Sequence, residues 1–167
     1  GAPRALPSFP TRGAADLGPR WGYEVVEAGG RSLNVVLAVD VSKSMLARDL
    51  APNRLERQRL LARRLLRELE GDRIGLVVFA GRAYVLSPLT VDHGGLQLYL
   101  DALDPGIVSQ GGSSLASAIR QAADLAQGES QTSGEKVVVL MTDGEALEDE
   151  SAVLDAAARA ASLGVTV

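Results

Sequence analysis

Asp40, Ser42 and Ser44 occupy alternate positions directly after the apolar run "NVVLAV". An acid and two hydroxyls at that spacing put three small oxygen donors on one side of a turn, with Val41 and Lys43 pointing elsewhere. Taken alone, the triplet would serve as well for a helix or loop cap, where Ser and Asp are favoured in any case. A second apolar run, "VVVLMTD", also ends in an acid, Asp143. Two carboxylates at neighbouring strand ends repel one another, and a divalent cation removes the conflict. Between the runs, "SQGGSSLASAI" brings two glycines, Gly111 and Gly112, followed by Ser113 or Ser114 at the start of a helix. With Ser113 as the donor from this loop, Asp40, Ser42, Ser44, Ser113 and Asp143 offer five oxygens and only two negative charges. Mg²⁺ takes about six oxygen ligands. Held this way it stays electrophilic and keeps a position for an anionic oxygen from outside. The pattern is that of a receptor for a carboxylate. The hydroxyl-rich cage favours Mg²⁺ or Mn²⁺ over the larger Ca²⁺.

Composition narrows the alternatives. The chain has no cysteine and one histidine, His93. Thiolate sites, disulfides and histidine-based zinc clusters are therefore excluded, which leaves hard-cation, oxygen-ligand chemistry. A net charge of −4 argues against a nucleic-acid surface, which needs a strong positive field. The 167 residues are 46% apolar and 23% charged, a balance that suits one domain around one core. No window reaches the roughly 18 apolar residues of a membrane span, so the fragment itself is expected to be soluble. It starts without Met and stops on "LGVTV", which reads as a strand cut short in a longer protein.

The elements that must position these oxygens follow from periodicity. Residues 1–30, with Pro3, Pro7, Pro10 and Pro19, read as an arm or linker with a short strand at Trp21–Glu27. Residues 31–167 read as the folded domain. "LNVVLAV" is apolar on both faces and suits a central parallel strand. Leu55, Leu61 or Ala62, Leu65, Leu66 and Leu69 recur at helical spacing between Pro52 and Gly71. "RIGLVVFAG" and "AYVLSPLT" should form a hairpin across the two-residue turn "GR". Two helices follow, the second with Leu115, Ile119, Ala122 and Leu125 on its stripe. "EKVVVLMTD" reads as a strand buried on both faces, then come an Ala-rich helix and a strand at "VTV". This alternation predicts an α/β, Rossmann-like doubly wound fold: a mostly parallel sheet, one antiparallel strand, and helices on both faces. In such sheets ligands bind outside the carboxyl ends of the strands, where Asp40 and Asp143 stand.

With those residues in place, "DVSKS" resembles the D-x-S-x-S of von Willebrand factor A domains, and "GGSSLASAI" their G-T-x-[IL]-x-x-[AG]-[IL] segment. "TDGE" resembles the segment that carries the family's second aspartate. The resemblance covers about Leu33 to Val167 and implies a metal-ion-dependent adhesion site. Registering Ile119 on the last position of the second motif puts Ser113 where the family has threonine, a hydroxyl without the methyl that fixes the rotamer. More narrowly, "DVSKSMLARDLAPNRLERQR" and "GDRIGLVVFAGRAYVLSPLT" resemble bacterial membrane-anchored proteins of the Bat (aerotolerance) type. That likeness implies a soluble, extracytoplasmic domain of an inner-membrane protein, linked to a MoxR-type AAA ATPase. It implies no enzymatic activity, a partner that donates a Glu or Asp carboxylate, and a last strand and helix missing from this chain.

The competing chemistry is a Mg²⁺-dependent phosphotransferase or phosphatase with Asp40 as nucleophile. Such sites usually add a second nearby acid on the nucleophile loop and a lysine for phosphate charge. Here position 42 is serine, and Lys43 points away. Ser114 is expected to be a cap, Glu145 an exposed loop acid, and Asp49 no ligand. His93 is expected to be structural or exposed, and Trp21 and Tyr23 to dock the arm. The arginines at 54, 57, 59, 63, 64 and 67, interleaved with Glu56, Glu68 and Glu70, read as a solvated helix face.

Overall fold

A computed structural model describes residues 33–108, 111–128, 134–144 and 148–167. The expected arm with its Trp21–Glu27 strand, and Glu145, lie outside them.

The run expected to be central is strand β1, Leu33–Asp40. Its alternation divides the core in two. Val35, Leu37 and Val39 enter one apolar cluster with Leu55, Ala62 and Leu66 of helix α1 (Arg54–Glu68) and with Leu96 and Leu100 of helix α2 (His93–Asp101). Val36 and Ala38 enter the other, with Ala116, Ile119 and Ala122 of helix α3 (Leu115–Gly128) and Ala156 and Ala160 of helix α4 (Glu150–Ser162). A strand covered on both sides needs apolar residues at every position, which is why β1 carries no amphipathic period.

Among the described residues the sheet has five strands. They are β1, β2 (Arg73–Phe79), β3 (Ala83–Thr90), β4 (Glu135–Met141) and β5 (Val165–Thr166), ordered β3-β2-β1-β4-β5. β1 pairs in parallel with β2 on one side and β4 on the other, β4 pairs in parallel with β5, and β2–β3 is the antiparallel pair. The chain leaves β1 towards β3 and later returns to β4 on the opposite flank. The carboxyl end of β1 is therefore the place where strand order reverses, the usual site of a ligand crevice in such sheets.

Three local expectations shift. Phe79 pairs with Ala83, so the hairpin turns through Ala80, Gly81 and Arg82 rather than two residues. The buried face of α3 is made of alanines 116, 118, 122, 123 and 126 with Ile119, while Leu115 and Leu125 are only partly buried. Small side chains let a helix lie close over the sheet, and the two leucines pack against the same cluster from positions that keep some exposure. β4 is fully buried only at Val138 and Met141, because β5 covers it at just Lys136 and Val137.

His93 takes the structural option. Its Nδ1 and Nε2 lie 2.9 Å from the carbonyl oxygens of Leu66 and Asp72, which ties the first turn of α2 to the end of α1.

Candidate metal centre

β1 delivers Asp40 to the sheet's carboxyl edge with no exposed surface at all. The ladder continues one residue further, since Val41 N–H donates to the Phe79 carbonyl at 2.8 Å. From the α1 side, Gln58 Nε2 donates to the Asp40 carbonyl at 3.2 Å. Backbone and side chain of Asp40 are thus set by β2, α1 and the core before any ligand arrives. The next residues break into a 3-10 turn, Lys43–Leu46, with Met45 buried as its anchor and Lys43 exposed.

The oxygens converge on this carboxylate. Ser42 N–H donates to Asp40 Oδ1 at 2.8 Å, and the Ser42 and Ser44 hydroxyls are 2.8 Å apart. Ser113 Oγ donates to Asp40 Oδ2 at 3.1 Å across 73 residues of sequence. Thr142 Oγ1 donates to the same oxygen at 2.8 Å and accepts from Gly144 N–H at 3.1 Å. Thr142 was not foreseen. The signal was its place between a strand end and Asp143, with its hydroxyl one position before the acid.

Gly112 and Gly144 flank this cluster with φ of +98° and +76°. Both are left-handed conformations that residues with a Cβ avoid, and they turn the chain just before Ser113 and just after Asp143. The earlier loop is also fastened to β2, because Ser114 N–H donates to the Ala80 carbonyl at 2.7 Å. Ser114 behaves as the expected cap, its Oγ accepting from Ser117 N–H at 3.3 Å.

Asp143 is set differently from the other four. Its side chain is 4% exposed, and Arg54 Nη1 donates to its Oδ2 at 2.7 Å. The same guanidinium holds Asp49 through Nε at 2.9 Å and Nη2 at 3.0 Å. That hydrogen bonding keeps the exposed Asp49 carboxyl below its ordinary value. The expectation of a solvated arginine face therefore fails at Arg54, which turns inward to the site. Further along α1 the expectation does better, with Arg63 paired to Asp101 and Arg64 to Glu68.

Glu148 was also missed. Its Oε1 accepts from Ser114 Oγ at 2.9 Å and its Oε2 from Ala116 N–H at 3.0 Å. A carboxylate at the amino end of α3 complements the helix dipole and satisfies an otherwise orphaned N–H. It also staples the segment carrying Asp143 to the loop carrying Ser113. Glu148→Ala should cost about 1.5–3 kcal/mol, the range for hydrogen bonds to a charged group. Faster amide exchange at Ala116 should accompany the loss. An unchanged melting temperature and unchanged Ala116 protection would show that the staple carries no load.

The donor set fits a hard cation. Among the described residues no Lys or Arg pairs with Asp40, and the three groups that bond its oxygens are all uncharged. A buried carboxylate without a counter-charge is costly, and a cation held by the surrounding hydroxyls would supply it. The described residues hold no cluster of three or more His, Cys, Asp or Glu. What they hold is hydroxyl-rich, which fits a site that leaves charge on its ion.

Comparison with known proteins agrees with this fold. The family model for the von Willebrand factor type A domain matches residues 35–145. A UPF0353 protein of Mycolicibacterium paratuberculosis is 32% identical over 111 residues, 66% of this chain and 34% of that protein. The chain thus spans about a third of the length of the curated relatives it matches. Among solved structures, BatB from Bacteroides thetaiotaomicron superposes with a TM-score of 0.73 at 34% identity, over 80% of this chain and 63% of that one. An aerotolerance-related membrane protein from Bacteroides fragilis gives 0.72 at 33% identity, over 80% and 64%.

Proposed function

We propose, for a chain that belongs to the von Willebrand factor type A domain family, that it binds a partner protein through a divalent cation held by Asp40, Ser42, Ser44, Ser113 and Asp143. The observation that carries this reading is Asp40: no exposure, hydroxyls around it, and no cationic side chain bonded to it among the described residues. The cation, Mg²⁺ or Mn²⁺ before Ca²⁺, supplies an electrophilic position for a Glu or Asp carboxylate.

The chain's own residues do the rest. Asp40 and Asp143 supply charge from neighbouring strands, and the three serines supply oxygen without further charge. Gly112 and Gly144 turn the loops that bring Ser113 and Asp143 into place. Thr142 fixes the carboxylate plane of Asp40 from the β4 side. Ser113 performs the task of a threonine with a freer rotamer, which lowers affinity for the cation.

The domain works by binding rather than turnover. Both Asp40 oxygens already accept hydrogen bonds and the side chain has no access to solvent, which suits a ligand and not a nucleophile. Similarity to an aerotolerance-related membrane protein supports a membrane-anchored parent of the Bat type. The resemblance of the sequence motifs is the ground for placing this domain on the extracytoplasmic side, with a MoxR-type AAA ATPase in its assembly. No described helix is long and apolar enough to cross a membrane.

The test uses Mn²⁺ as the probe. Water-proton relaxation should rise on binding to the domain and fall again when a glutamate-containing peptide displaces a coordinated water. Ser113→Ala should weaken Mn²⁺ binding, whereas Ser113→Thr should strengthen it. No Mn²⁺ binding by the wild type, or binding indifferent to both substitutions, would overturn the reading.

A further inference from the structure

Arg54 is the first residue of α1, yet its guanidinium lies against the ligand set. It donates to Asp143 Oδ2 at 2.7 Å and to both oxygens of Asp49 at 2.9, 3.2 and 3.0 Å. These two acceptors differ sharply in setting: the Asp143 side chain is 4% exposed and that of Asp49 is 45% exposed. One permanent positive charge is thus shared between a proposed ligand and an acid that is not one.

We infer that Arg54 is a built-in competitor for the cation: it is a resident counter-charge of Asp143, it sets the affinity of the centre, and it couples filling of the centre to the start of α1. This inference rests on reading the site as a cation centre. A guanidinium is charged at every accessible pH, so it cannot give way by losing a proton. A divalent cation drawn to Asp143 meets that charge directly and must either displace it or bind against its repulsion. Asp49 makes displacement feasible. It offers Arg54 a second carboxylate five residues back, already engaged through two nitrogens, so the guanidinium can leave Asp143 without losing a counter-ion.

The start of α1 would register the exchange. Arg54 N–H donates to the Ala47 carbonyl at 3.1 Å, and the helix is capped by Asn53, whose Oδ1 accepts from Glu56 N–H at 2.8 Å. A change at the Arg54 side chain is therefore passed to the segment between the 3-10 turn and the helix. That segment follows directly on the turn that carries Ser44, so the motif loop and the start of α1 are joined through the Ala47–Arg54 hydrogen bond.

Calorimetric titration of Mn²⁺ into three variants tests this. Arg54→Met keeps an apolar stem and removes the charge, and it should tighten binding roughly tenfold, the order expected for one nearby unit charge. Its cation-free melting temperature should fall, because the nearly buried Asp143 carboxylate loses a counter-charge, and Mn²⁺ should more than restore it. Arg54→Lys keeps the charge and should stay close to wild type. Asp49→Asn leaves Arg54 more fully on Asp143 and should weaken binding. Weaker or unchanged binding in Arg54→Met, with the wild type still binding Mn²⁺, would overturn the role of Arg54 and leave the centre standing. No binding by any of these proteins would overturn both.

Discussion

Asp40→Asn should abolish the response to divalent cation while leaving the cation-free domain at least as stable as wild type. Asparagine matches aspartate in shape, and its Oδ1 can go on accepting from Ser42 N–H. At the other branch, an NH₂ replaces the oxygen that accepts from Ser113 and Thr142. Those hydroxyls both donate and accept, so they can reverse their roles. The substitution therefore removes a charge from a position with no exposure and leaves the hydrogen bonding nearly whole. Relief of that burial works in favour of the cation-free fold. What disappears is the strongest ligand. At a cation concentration a hundred times Kd the wild type gains about 2.7 kcal/mol, or roughly 8 °C at about 3 °C per kcal/mol. Thermal melts in EDTA and in Mg²⁺ would show both halves. An Asp40→Asn domain that still gained several degrees in Mg²⁺ would show that the cation sits elsewhere.

Phe79→Ala should be the most damaging single substitution in the core and should weaken the site from behind. Phe79 is fully buried in the apolar cluster beneath α3 and α4, at the last position of β2. Removal of a buried aromatic ring costs about 3–5 kcal/mol, through lost transfer energy and the cavity left behind. Its backbone partners make the effect more than a loss of stability. Phe79 is in register with Asp40, its carbonyl accepts from Val41 N–H, and the Ala80 carbonyl next to it accepts from Ser114 N–H. A slack β2 end therefore loosens Asp40 and the Ser113 loop together. Denaturant unfolding should read the full loss. Mn²⁺ affinity measured on the population that remains folded should fall as well. Unchanged affinity in the folded fraction would mean that β1 alone holds Asp40.

Much of this architecture is written in local pattern. β1 lacks an amphipathic period because both its faces are covered, and "VVLAV" says so without any neighbour in view. The hairpin of β2 and β3 is legible because an apolar run, a glycine-containing turn and a second run leave little else to form. α1 announces itself through leucines at helical spacing between Pro52 and Gly71. The stripe on α3 is legible in part. Leu115, Ile119, Ala122 and Leu125 all lie in or against the core, but the most buried positions also include Ala116, Ala118, Ala123 and Ala126, because small side chains let the helix lie close to the sheet.

The candidate centre divides along the same line. Asp40, Ser42 and Ser44 are neighbours in the chain, so their spacing alone proposes that they act together. Ser113 and Asp143 could be added because strand ends and glycine loops announce where a chain meets the sheet edge. Arg54, Thr142 and Glu148 could not be assigned in that way. Arginine on a helix rich in Arg and Glu looks like solvated surface, and nothing local marks those that turn inward, Arg54 to the site and Arg59 to the Leu103 carbonyl.

The sequence by itself determined the alternation of elements and the apolar strand that buries Asp40, and it nominated the five oxygens proposed to hold a cation. Local periodicity and side-chain chemistry are properties of short segments, and they survive being read one segment at a time. Only the tertiary structure decided which charges meet across 89 residues, as Arg54 and Asp143 do, and which loop is stapled to which, as Glu148 staples the start of α3. Those contacts depend on the order of strands in the sheet and on the distance at which helices settle over it. Packing of the whole core sets both, and no stretch of residues carries them alone.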